Sequence, residues 1–314
     1  MIKKSSAVYL IAILSALMVT PAQARSRSFV ASYGNDANSC GPFAPCRQFD
    51  RAVDVTDPDG EVVVLDSAGF LPTTISKSVS LTAPTGVYAA ISVSSAGTFG
   101  VTIATPGVNV VLRGLTINGL GGDAGILMTA GAKLSIENCV ISNFSITGSL
   151  VNQHGVLVQT AAKVRMVNTL IRDNDIGIEI QAGATADISE SKFLGNLAAG
   201  IFANNSIAST TTSAAISNTV VVGSTIGIYA LVDTATALAK MDIFRSIVSN
   251  NGIGVAANSA VGAASVSIRK SMVTGSSTHG LSKPFNGTMT SYGDNTLTNN
   301  TLDVAGTLTT AAPL

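Results

Sequence analysis

Beyond residue 60 the chain alternates apolar and polar residues in runs of about three to five, and Gly, Asn, Asp and Ser interrupt the runs. Period-two alternation over such short lengths predicts half-buried strands; helical spacing is nearly absent. The runs come in threes. The first of each three opens on Gly followed by a branched or apolar residue: Gly100-Val101, Gly125-Ile126, Gly155-Val156, Gly177-Ile178, Gly200-Ile201, Gly227-Ile228, Gly254-Val255 and Gly280-Leu281, at spacings of 25, 30, 22, 23, 27, 27 and 26 residues. A second phrase follows most of them, as in Ile136-Glu137-Asn138-Cys139-Val140-Ile141, Met166-Val167-Asn168-Thr169-Leu170-Ile171 and Ile216-Ser217-Asn218-Thr219-Val220-Val221. Three strands in 22 to 30 residues cannot bury an apolar face alone, but successive turns stacked on a common axis can. With about 4.8 Å between strands, about nine to ten turns give a rod on the order of 45 Å long.

The first residues have a different character. Lys3 and Lys4, an apolar run at 7–19 and the small-x-small triplet Ala22-Gln23-Ala24 predict a secretory signal peptide cut after Ala24. No Cys follows the cut, so no lipid anchor is indicated, and the mature chain is expected to be secreted or periplasmic, without a membrane span. In an oxidising compartment Cys40 and Cys46, six apart in a loop rich in Gly, Pro, Asn and Asp, are suited to a small disulfide ring. Phe49, Ala52 and Val53 then repeat at helical spacing and predict one short helix over 48–54. The expected organisation is a signal peptide at 1–24, a cap with disulfide loop and helix at 25–60, a β-solenoid at 61–305 and a tail at 306–314.

The coil repeats, together with the opening Tyr33-Gly34-Asn35-Asp36…Pro45-Cys46 and its helix, resemble the right-handed parallel β-helix proteins of the pectin-lyase-like superfamily over about residues 29 to 305. The resemblance implies an all-β, right-handed parallel β-helix with a short N-terminal capping helix. It implies little about activity, because members include lyases, glycosidases, adhesins and inert scaffolds. It also implies an Asn ladder: Asn138, Asn168 and Asn218 fall at the bend between second and third strands, with Glu190, Arg245 and Lys270 interrupting them. The position after that bend reads Cys139, Thr169, Ser191, Thr219, Ser246, Ser271, a column of small side chains in which a thiol suits a buried slot.

In the carbohydrate-active members, chemistry sits on outward side chains of the first strand. Here strict alternation turns out Thr102, Leu127, Leu157, Glu179, Phe202, Tyr229, Ala256 and Ser282, then Ala104, Thr129, Gln159, Gln181, Asn204, Leu231 and Asn258. Glycoside hydrolysis normally uses two carboxylates, and a calcium-assisted lyase several plus a basic residue. This face supplies one acid, Glu179. Asp173-Asn174-Asp175 with Glu179 is the best acidic group for a calcium ion or an acid and base, although Asp and Asn also favour turns for backbone reasons. His154 and His279 each precede Gly, but the Asp-Asp and Arg-x-Lys motifs that accompany such a His-Gly in polygalacturonases are absent. What the face does offer is Leu157, Phe202 and Tyr229 flanked by Gln159, Gln181, Asn204 and Asn258, apolar area and amides suited to an extended glycan. Loops at 143–153 and 205–213, which hold extra residues, are placed to cover it. Arg113 with Glu137, and Arg165 with Asp187, are expected to form surface ion pairs.

Third-strand outward positions read Val140, Leu170, Lys192, Val220, Ile247 and Met272. Five are apolar, as a covered or self-associating face would be. Charge narrows the choice of partner. Lys plus Arg and Asp plus Glu number 18 each, and charged residues make up only 11% of the chain, so no basic field exists for nucleic acid. Three Cys and two distant His give no zinc cluster. The sequence therefore favours a β-helix binding or structural module contacting a polysaccharide or surface protein, without a cofactor. An atypical lyase or hydrolase using Asp173, Asp175 and Glu179 is the enzyme alternative, and self-association through Val140, Leu170, Val220, Ile247 and Met272 the other.

Overall fold

The chain is described by a computed structural model covering residues 26–146 and 152–312. The expected signal peptide lies outside the described residues, as does 147–151 of the expected covering loop. One turn of the solenoid runs His154–Val158, Lys163–Val167, Leu170–Arg172 and returns to Ile176–Ile180 above its start. Stacked turns make three parallel sheets of ten, twelve and ten strands, here the first, second and third sheets in the order that this turn passes through them. The fold is the expected all-β parallel solenoid of about nine turns.

The Gly-Ile phrase has a packing cause. A Cβ on Gly155 would lie 2.5 Å from the Gly177 carbonyl oxygen, and one on Gly254 would lie 2.6 Å from that of Gly280. Each such glycine lets the next turn approach at van der Waals distance. These glycines also drop out of the pairing register: His154 pairs with Ile176 and Val156 with Ile178, while Gly155 pairs with nothing. The strand kinks there, and alternation changes parity across the kink.

Apolar side chains fill the interior, with Ile178, Ile188, Phe193, Ile201 and Ile228 fully buried. Each such burial contributes about 1.5–3 kcal/mol. The cap comprises the Cys40–Cys46 disulfide and one helix, α1 (Phe49–Val55), which buries Phe49, Ala52 and Val53 over the open first turn.

Two polar ladders run inside the rod. In the first, each backbone N–H after the bend between second and third strands donates to the hydroxyl one turn on: Thr169 to Ser191 at 3.2 Å, Thr219 to Ser246 at 3.2 Å, Ser246 to Ser271 at 3.1 Å. Each hydroxyl donates to the carbonyl two residues before it, as Ser191 does to Ser189. Cys139 is the first rung; burial pushes its thiol up to about 11, against weaker backbone hydrogen bonds, so it stays protonated and unreactive. The second ladder sits at the bend after the third strand. Its members are Asn174, Asn196, Ser224, Asn251, Ser276 and Asn300; the first five are buried. Asn174 Nδ2 donates to Asn196 Oδ1 at 2.9 Å, and the Ser224 and Ser276 N–H groups donate to Asn251 and Asn300 at 2.9 and 3.0 Å.

This corrects the expected Asn ladder. Asn138, Asn168 and Asn218 do sit at a tight bend, with φ of 54°, 46° and 48°, but Glu190, Arg245 and Lys270 take the same left-handed conformation at 53°, 48° and 48°. Along that column one amide bond forms, Asn168 Nδ2 to Asn138 Oδ1 at 2.8 Å, and it is exposed. The bend selects residues that tolerate positive φ or are held there by the repeat; the buried amide ladder runs elsewhere.

Candidate functional site: the outer face of the first sheet

The outward columns read from alternation are in register. Leu157 pairs with Glu179, Glu179 with Phe202, Phe202 with Tyr229 and Tyr229 with Ala256. Leu157, Gln159, Glu179, Gln181, Phe202, Asn204, Tyr229 and Asn258 therefore lie together on one face across five turns.

Glu179 is its centre and is 5% exposed. Its Oε2 lies 2.8 Å from His154 Nε2, and its Oε1 accepts from Gln181 Nε2 at 2.6 Å and Asn204 Nδ2 at 3.0 Å. Burial alone would raise its pKa; the hydrogen bonds from His154, Asn204 and Gln181 outweigh that and hold the carboxyl below its ordinary value. A buried carboxylate accepting from three donors is a fixed anion, poorly suited to delivering a proton as a general acid. Its pairing with His154 orients the imidazole by one nitrogen, the arrangement that a general-base histidine uses.

Beside it Phe202 and Tyr229 stack, with ring centroids 5.0 Å apart and planes 7° from parallel. Asn258 Nδ2 donates to the Tyr229 hydroxyl at 3.2 Å, and Gln159 Nε2 reaches Gln181 Oε1 at 3.5 Å. The face-to-face rings form an apolar ridge flanked by amides, with Phe202 and Tyr229 both partly exposed. The extra residues at 205–213 do not fold over this ridge. They lengthen strands to Ala199–Asn205 and Thr211–Ser217, because Asn205 is buried and bonds Thr210 and Leu238 carbonyls.

Counting back from Leu157 by strict alternation would put His154 inside; the kink at Gly155 turns it out toward Glu179. His279 occupies the matching column, where the place corresponding to Glu179 is held by Ala305, so it gains no acid partner. The acidic turn does not converge on Glu179. Asp173 pairs with Arg172, Asp175 accepts from Ser145 Oγ at 2.6 Å and the Gln153 N–H at 3.0 Å, and Asn174 points inward as a ladder rung. Among the described residues, no group of three or more His, Cys, Asp or Glu comes together to hold a metal ion.

Elsewhere the surface differs from expectation in one pair and matches in another. Glu137 takes both arginines, Arg113 at 2.9 Å and Arg165 at 3.0 Å, so Arg165 turns back to it rather than forward to Asp187. A Ser135 hydroxyl bond completes this network. The third-sheet column Val140, Leu170, Lys192, Val220, Ile247 and Met272 is in register, with Ile247 44% and Met272 40% exposed. The tail does not shield it: Leu302–Ala305 and Thr309–Thr310 join the first and second sheets instead. Among the described residues no helix is long and apolar enough to cross a membrane.

The sequence profile described as "Right handed beta helix region" matches residues 99–302. The chain belongs to the right-handed β-helix family. Among solved structures, the β-helix is similar to a pectate lyase, Pel9A, at 13% identity and TM-score 0.54, covering 90% of this chain and 77% of that one. It is likewise similar to an alginate lyase from Paenibacillus sp. str. FPU-7, at 12% identity and TM-score 0.53, covering 90% and 99%. At such identities the likeness is one of fold. No curated protein sequence matches the chain.

Proposed function

We propose that this β-helix is a secreted or periplasmic binding module that holds an extended glycan along the outer face of its first sheet. The stacked Phe202–Tyr229 ridge carries this reading. The outer edges of the stacked rings offer an apolar ridge for sugar rings, and Gln159, Gln181 and Asn258 supply donors and acceptors beside it, while Asn204 is spent on holding Glu179. Solved β-helices named for pectate and alginate support a carbohydrate-related role. A glycan array read for both retention and product tests the proposal. Retention without product, lost in the Phe202→Ala/Tyr229→Ala variant, is expected; unchanged retention in that variant overturns it.

A second reading, a polysaccharide lyase or hydrolase, is favoured by one observation, the 2.8 Å His154–Glu179 contact. On this reading Glu179 positions His154, which serves as the base, and Glu179→Gln abolishes turnover. Product formation by the native chain, absent from Glu179→Gln, selects this reading; binding with no product from either eliminates it.

A further inference from the structure

Three basic side chains gather where the second sheet bends into the third near the C-terminal end. Phe244 pairs with Arg269 in the outward column of the second sheet. Three cations surround the Phe244 ring: the guanidinium carbon of Arg245 stands 4.8 Å from its centroid, that of Arg269 5.8 Å, and Lys270 Nζ 5.9 Å. Arg269 is also 5.3 Å from the Tyr292 ring, between the two aromatics. The bend places Arg245 and Lys270 one turn apart in the same left-handed conformation, so both emerge beside the ring.

None of the three makes an ion pair or side-chain hydrogen bond among the described residues. In a chain with only 18 basic residues, this is an unusual concentration of unpaired charge. Asp294 is the neighbouring carboxylate. Its Oδ1 accepts the Lys270 backbone N–H at 3.0 Å, while its Oδ2 is buried and not presented to solvent. A depression of about 380 Å³ opens here, with Arg245, Lys270, Ile247, Met272 and Asp294 in its wall. Cation–π contact restrains a guanidinium against a ring face without using its N–H donors; Arg269 Nε is buried, and the exposed Arg245 keeps its donors available for a bidentate oxyanion. Three like charges around one ring also repel one another, and a bound anion relieves that repulsion.

We propose that Arg245, Arg269 and Lys270 form an oxyanion-binding site for an acidic polysaccharide, engaging its carboxylate or sulfate groups. The site is separate from the first-sheet face and does not rest on the function proposed for it. Affinity electrophoresis of the full chain at low salt through gels holding a polyuronate, dextran sulfate or neutral dextran tests it. Retardation by at least one of the two polyanions, not by neutral dextran, and relieved by salt, is expected. Retardation by only one identifies the oxyanion as carboxylate or sulfate.

The double variant Arg245→Gln/Lys270→Gln alters two exposed side chains and leaves Arg269 seated between its rings. Its affinity should fall about tenfold or more, as loss of charge-assisted hydrogen bonds implies. Lys133→Gln/Lys163→Gln removes the same charge from another part of the second sheet and should change affinity less than about twofold. The same further loss should appear when Arg245→Gln/Lys270→Gln is introduced into the Phe202→Ala/Tyr229→Ala variant, which reads the cluster apart from the first-sheet face. No retardation of the native chain by either polyanion, or equal losses in the two charge variants, overturns the proposal.

Discussion

The outward column of the second sheet passes through Arg113, Glu137, Val167, Ser189, Ser217, Phe244 and Arg269 in continuous register. Toward its N-terminal end charge is closed on itself. Glu137 takes Arg113 and Arg165, and Glu179 on the neighbouring sheet takes His154, Gln181 and Asn204. Toward its C-terminal end Phe244 stands where an acid could have stood, and the cations lean on rings instead. The backbone scaffold is the same at both ends; what differs is whether the side chain at the crossing point accepts hydrogen bonds. Closed charge fixes local geometry, whereas cations shelved on aromatics keep donors for an outside ligand.

The closed end breaks most expensively at Glu179. Glu179→Ala leaves His154, Gln181 and Asn204 donors facing an emptied site, and stability should fall by about 3 kcal/mol in denaturant unfolding. Glu179→Gln should cost less, but it should remove an acid-sensitive part of stability. Because the folded pKa lies below the ordinary 4.5, the native carboxylate contributes fully above that value, and the contribution declines as pH falls through the folded pKa. Unfolding profiles of the two proteins should therefore converge toward low pH. Parallel profiles would mean that the carboxylate is not held as an anion.

At the open end, Phe244→Ala removes the shelf but none of the charge. Lost packing and cation–π contact should cost about 1–2 kcal/mol of stability, and polyanion affinity should fall although Arg245, Arg269 and Lys270 all remain. Phe244→Leu separates the two effects, keeping most of the apolar area while losing the ring face. If both variants bind polyanion as the native chain does, charge alone accounts for binding and the aromatic shelf is irrelevant.

These differences bear on what a sequence can reveal. The repeat made the coil register legible, so Leu157, Glu179, Phe202 and Tyr229 fall into one column as read from alternation. His154 did not, because the close approach at Gly155 reverses the parity on which the reading depended. The buried ladder was hidden for another reason. Asn174 sits in Asp173-Asn174-Asp175, which reads as a hydrated turn, yet the middle residue points inward while its neighbours point out. The cation cluster was less legible still: Phe244, Arg269 and Tyr292 are 25 and 23 residues apart, and only their stacking in successive turns brings the rings and guanidinium together.

The smallest expected change converts one end of the column toward the other. Glu137→Gln leaves Arg113 and Arg165 without their carboxylate on a half-exposed surface, where such pairs contribute little, so stability should fall by only about 0.5–1 kcal/mol. Burial of Glu137 opposes its charge, but Ser135, Arg113 and Arg165 hold the carboxyl below its ordinary value, so the small loss should appear above that value and fade in acid. The freed arginines have positive charge without aromatic support. If unpaired charge suffices to hold a polyanion, Glu137→Gln should gain retardation in the polyanion gel comparable to that of the C-terminal cluster. If the rings are what keep the donors in place, the gain should be slight, because mobile side chains lose conformational entropy on binding that shelved ones have already lost. The aromatic argument favours the slight gain, and a large one would count against the role given to Phe244 and Tyr292.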